Sequence, residues 1–155
     1  MLSENQLILR LCLSVVLGGL IGFERQIHRR HAGLRTHMLV SLGSCLIMLT
    51  SIYVFDIYRG IANVDPARIA AGVITGIGFL GAGTIIRGTD GVKGLTTAAS
   101  LWVVAGIGMA AGIGFLNAAI YTTILGLIVL FFLRYFEGLF EEDINNKEKG
   151  SAHNG

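Results

Sequence analysis

The chain has 155 residues, of which 53% are hydrophobic and only 14% charged, with a net charge of +2. Soluble domains carry about 25% charged residues, so this composition excludes a domain that covers itself with polar surface in water, and no nucleic-acid partner is expected. Glycine is abundant, 22 residues against a single proline, as suits transmembrane helices more than soluble ones.

In chain order, Met1 to Gln6 is short and polar, and Leu7 to Phe23 is apolar except for Arg10. That length suffices for a spanning helix. A secretory signal is disfavoured, because Glu4 occupies the lead-in and no A-x-A site precedes Glu24. Arg10 is expected to snorkel to the headgroups, with an inward-facing partner charge as the alternative. Cys12 and Cys45 fall inside apolar runs and read as free buried thiols.

Glu24 to His37 is the most basic stretch, with Arg25, Arg29, Arg30 and Arg35, and reads as a loop before the second span, Met38 to Phe55. Asp56 to Asn63 forms the next loop. Asp65 and Pro66 then announce a helix, Asp as N-cap and Pro as its first residue. The third span runs from Ala67 to Ile86, and Arg87 to Gly94 is a charged surface loop. Leu95 to Leu133 carries no charge. As one helix it would be about 58 Å long, twice a bilayer core of about 30 Å, so it divides into two spans. The turn falls in Gly112 to Asn117, Thr96 or Thr97 caps the fourth helix, and the fifth runs from Ala118 to Tyr135. Gly138 onward is a charged tail.

The expected fold is therefore all-α, a polytopic membrane bundle of five transmembrane helices over 1–136 with a short, partly disordered tail over 137–155. The loops 24–37 and 87–94 hold six Lys or Arg, and the opposite loops 56–66 and 112–117 hold only Arg59. By the positive-inside rule the first set faces the cytoplasm, with the N-terminus out and the C-terminus in.

The stretch Gly72 to Ser100 reads as the organising element, a glycine-rich helical hairpin. Gly76 to Gly81 satisfies G-x-G-x-x-G, but that motif needs a strand before it and a βαβ unit around it. Close helix packing is the better reading, and the same small-residue logic extends to Gly18, Gly22, Gly72, Gly76, Gly78, Gly81, Gly83, Gly108 and Gly112. Glu24, His28 and His31 fall at i, i+4 and i+7, which invites a metal reading. Arg25, Arg29 and Arg30 interleave with them and repel a cation, so no metal or cofactor is expected; the better reading is a basic juxtamembrane segment against anionic headgroups, with a pairing of Glu24 with Arg35 or another Arg as a third option. Through Phe136 the acids are Glu4, Glu24, Asp56, Asp65 and Asp90, each at a helix end or in a loop. A magnesium path would need oxygen ligands at depth; Thr75, Thr84, Asn117 and backbone carbonyls are the remaining candidates. Ser14, Ser41, Ser44 and Ser100 show no His or Asp partner at plausible depth, so no enzyme is expected and these hydroxyls should bond helix carbonyls or neighbouring helices.

Gly18 to Gln26, Ala32 to His37, Gly76 to Gly83, and Gly94 to Ala99 with Trp102 resemble the MgtC/SapB family over about residues 7–136. The resemblance implies a multi-pass bacterial inner-membrane protein, non-enzymatic, linked to growth at low magnesium and to survival inside host cells. For some members it implies inhibition of the F-type ATP synthase through membrane contact. About 19 residues follow Phe136, so the chain is expected to be a short form that lacks the soluble C-terminal domain of MgtC-type members. The matched residues Glu24, Arg25, Gln26, Arg35, Thr36 and His37, with Arg87, Lys93 and Thr96, are the expected working surface at the cytoplasmic edge. Besides the bilayer, the expected partner is another membrane complex. A magnesium or other ion transporter is the alternative, and self-assembly through small-residue faces is a third.

Overall fold

The computed structural model describes residues 2–89 and 91–132. Helix α1 spans Glu4–Ile27, α2 Leu34–Tyr58, α3 Pro66–Gly83, α4 Leu95–Ile113 and α5 Leu116–Phe132. The first four are long and apolar enough to cross a membrane; the described part of α5 is shorter. The expected fifth span beyond Phe132, Asp90 and the charged tail lie outside the described residues.

Local chemistry accounts for most of the helix ends. Ser3 and Gln6 form a capping box at the start of α1. Asp65 caps α3 as expected, its Oδ1 accepting from the Ala67 amide at 2.8 Å with Pro66 beside it. Gly114, in the left-handed region at φ 90°, ends α4 inside the anticipated turn.

Several boundaries differ from expectation, among them the end of α3, which stops at Gly83 because Ile86 belongs to the strand that follows. Helix α1 continues through Glu24 and Arg25 to Ile27, so the basic loop shrinks to residues 28–33. Glu24 and Arg25 lie over the last turns of a buried face and face protein rather than solvent. The charged octet is an antiparallel β-hairpin, β1 (Ile86–Gly88) against β2 (Gly91–Lys93), with Gly88 opposite Gly91 across the turn. Neither Thr96 nor Thr97 caps α4. Gly94 does, at φ 91°, and a Cβ there would collide with the Thr84 carbonyl, so the hairpin closes onto the end of α3 through a position only glycine can fill.

The organising element is α2, flanked by α1 and α4, rather than the glycine-rich hairpin. Its N-terminal half buries His37, Ser41, Ser44 and Cys45. On α1 the buried positions Ser14, Leu17, Gly18, Ile21, Gly22 and Arg25 recur at helical spacing toward it. A Cβ at Gly18 would stand 2.6 Å from Ser41 Cβ, and one at Gly22 would stand 2.8 Å from His37 Cβ. From the other side a Cβ at Gly112 would stand 2.7 Å from the Cys45 carbonyl, and one at Gly108 would overlap the Ser41 carbonyl. These four glycines let three backbones share one seam. Leu17, Ile21, Leu49, Val104 and Ile107 fill the core beside it, and Ala119 joins from α5.

Helix α3 is peripheral. It meets α4 through Val73 and Ile77 against Leu101 and Ala105, and Gly81 makes ordinary contact with Ala98. Gly72, Gly76, Gly78 and Gly83 have no atom within 4 Å of where a Cβ would stand. The close packing expected of these four does not occur among the described residues, because α3 is turned so that Ala70, Val73, Ile77 and Gly81 face inward.

Candidate functional site

Arg10 turns inward. Its Nη1 donates to the Gly112 carbonyl at 2.7 Å, and its guanidinium lies against Gly114. The carbonyls at a helix C-terminus lack intrahelical partners and carry partial negative charge, so a guanidinium placed there is both a cap and a counter-charge. The expected snorkelling gives way to this. Cys45 Sγ contacts the Arg10 carbonyl, while Cys12 is exposed rather than buried.

At the other end of the bundle, the residues expected to form one working surface divide into two sets. Glu24, Arg25 and His37 are buried at 8%, 4% and 0% exposure. Gln26, Arg35, Thr36, Arg87, Lys93 and Thr96 are exposed. Gln26 has a structural task, since its Oε1 accepts from the Leu34 amide at 3.1 Å and so caps α2, whose N-cap Gly33 has no side chain to do it.

In the buried set, His28 Nδ1 lies 2.8 Å from Glu24 Oε1 and 2.8 Å from the Glu24 carbonyl. Arg25 Nε is 3.5 Å from Glu24 Oε2. Of the arginines considered for Glu24, Arg25 is the one beside it rather than Arg35, and His28 is closer still, because the helix runs on and brings residue 28 under residue 24. His31 lies beyond the helix end and is exposed, so the i, i+4, i+7 face does not extend to it.

His37 joins two helices. Its Nδ1 is 2.9 Å from the Gly33 carbonyl, which can only accept, so that nitrogen carries a hydrogen. Its Nε2 is 3.0 Å from Ser100 Oγ, and Ser100 Oγ is 2.8 Å from the Thr97 carbonyl. In the neutral ring the single Ser100 hydrogen must serve either Nε2 or Thr97. Ser100 therefore has the histidine partner that apolar patterning hid: His37 stands one turn into α2 and Ser100 two turns into α4, and the Gly22 and Gly108 approaches bring these turns together. The hydroxyls of Ser14 and Ser100 bond their own helix carbonyls. Ser41 Oγ is buried without a hydrogen-bond partner.

Thr75, Thr84 and Asn117 are not brought together. Thr75 bonds Ala71 and Thr84 bonds Gly81 within their own turn, while Asn117 is exposed at the start of α5, at the opposite end of α4 from Thr84. Among the described residues no three His, Cys, Asp or Glu side chains converge as metal ligands.

A family model described as the MgtC family matches residues 11–139. The chain belongs to the MgtC family. Among curated relatives, this MgtC-family chain is 46% identical over 127 residues to an Escherichia coli K12 protein named putative magnesium transporter YhiD, covering 81% of this chain and 59% of that one. It is 45% identical over 127 residues to protein MgtC of Salmonella typhimurium LT2, covering 82% and 52%, and 42% identical over 123 residues to a Haemophilus influenzae protein, covering 77% and 52%. The chain thus spans between about half and three fifths of the length of these relatives. No solved structure matches it. Family membership together with the apolar helices makes it a membrane protein.

Proposed function

We propose that this MgtC-family protein works by contact, crossing the bacterial inner membrane five times with its N-terminus out and C-terminus in, and modulating another membrane complex under magnesium limitation or stress without catalysing a reaction. The observation that carries this is the outer side of α3. Among the described residues, none comes within 4 Å of where a Cβ would stand at Gly78 or Gly83, and Phe79 between them is 81% exposed. The core closes without them, and the exposed cations Arg87 and Lys93 follow on the hairpin just past the end of α3. Small residues beside a bulky aromatic, with charges at the membrane edge, suit a second membrane protein.

Reading the magnesium link as regulatory is supported by the scatter of Thr75, Thr84 and Asn117 and by the pairing of Glu24 with His28. The transport reading draws its support from the name of the Escherichia coli relative. Site-directed crosslinking from residue 79 in native membranes separates these. Crosslinks to a different membrane protein, weakened when Arg87 and Lys93 are both changed to Glu, are expected. Self-crosslinks only, together with magnesium flux in reconstituted liposomes, would replace the modulator by a transporter.

A further inference from the structure

A groove of about 520 Å³ runs between α2 and α3, on the side of α3 away from Gly78. Its walls are apolar, Leu39, Val40 and Ile47 facing Val73, Ile77 and Leu80, and its floor is opened by Gly43, Gly72 and Gly76. A Cβ at any of these three glycines would meet nothing within 4 Å. Polar character gathers at one end, where Arg35 and Thr36 form the mouth. Both are exposed, and among the described residues no acid pairs with Arg35. Helix α3 runs back along α2, so its C-terminus, and with it the Arg87 and Lys93 hairpin, lies at this same end.

We propose that this groove holds an acyl chain of an anionic phospholipid drawn from the surrounding bilayer, with Arg35 and Thr36 binding its phosphate. Three observations select this occupant. From Arg35 to Ile47 the groove follows α2 for about 18 Å, close to the half-thickness of about 15 Å of a bilayer core; a partner helix would need the full span. The mouth offers a guanidinium and a hydroxyl, which match a phosphate diester, and the interior offers nothing polar beyond Ser44. A second copy related by a two-fold axis along the membrane normal would bring the two Arg35 mouths into opposition, which like charges disfavour. This site lies on a different side of α3 from Phe79, so it stands whichever complex the protein contacts.

The test uses the full chain in mild detergent, offered equal amounts of phosphatidylglycerol and phosphatidylcholine with the same acyl chains, and native mass spectrometry to count retained lipids. The intact protein is expected to retain phosphatidylglycerol with about fivefold preference, the scale set by one basic residue at an anionic surface. Arg35→Gln should abolish the preference and Arg35→Lys should keep most of it. Gly76→Leu, which fills the groove, should lose the bound lipid of either class while circular dichroism stays unchanged. If that variant fails to fold, the exposed Arg35 pair carries the test. Equal retention of the two lipids by the intact chain, a preference untouched by Arg35→Gln, or a dimer mass with no bound lipid would each overturn the proposal.

Discussion

Two sets of glycines in this chain carry the same sequence signature and live in opposite surroundings. Gly18, Gly22, Gly108 and Gly112 sit where α1 and α4 press on α2, and at Gly72, Gly76, Gly78 and Gly83 on α3 an added Cβ would meet no described atom within 4 Å. Small residues at a spacing of four thus mark where a backbone can approach without saying whether the neighbour belongs to the same chain. In the first set the neighbour is α2, and in the second no described residue of the chain fills that place. The closely packed part of the molecule is therefore the α1–α2–α4 seam, and α3 is the helix on which the proposed contact role rests.

The comparison breaks most sharply at Gly108. Its missing side chain is the condition for α4 to lie on the Ser41 carbonyl, so Gly108→Leu should destabilise the fold by at least about 3 kcal/mol, the upper range for overpacking. It should show as loss of monodisperse protein in detergent; a Gly108→Leu protein with unchanged thermal unfolding would mean that the seam is not closed. A smaller loss, about 1.5 to 3 kcal/mol, is expected of Arg10→Gln, since a charge-assisted bond to the end of α4 is removed. Thermal unfolding reads it, and a change below about 0.5 kcal/mol would leave Arg10 as a headgroup contact after all. At the far end of the scale, Gly76→Ala should cost nothing and could add up to about 1 kcal/mol through helix propensity. Destabilisation there would show that α3 packs more closely than its open face implies.

Much of the architecture was legible in the residues. The apolar runs, the Asp65–Pro66 start and the turn around Gly114 were all readable, because length, hydropathy and capping chemistry are local properties. What stayed hidden depends on rotation about a helix axis. Glu24 and Arg25 look like loop charges, yet they continue α1 inward because positions 14, 18, 22 and 25 share one face. The His37–Ser100 contact joins residues 63 apart and had no local signal at all. One clue was available at Gly94: a glycine directly before a helix, between a charged turn and two threonines, is what a tight return requires, and it competes with threonine capping. The charged octet was recognisable as a surface element but not as a hairpin, since its strands are three residues each and exposed, with no buried face to pattern them.

The bond from Arg10 to Gly112 also has a temporal side. Donor and acceptor are 102 positions apart, and at translation rates of about 5 to 20 residues per second the cation emerges roughly 5 to 20 s before the carbonyl it will serve. Throughout that interval the Gly112 carbonyl that Arg10 bonds has not yet been made. The final seating of Arg10 must wait for the fourth helix, so this end of the bundle closes late in synthesis, and a ribosome stalled before residue 112 would leave Arg10 without the carbonyl it bonds in the mature fold.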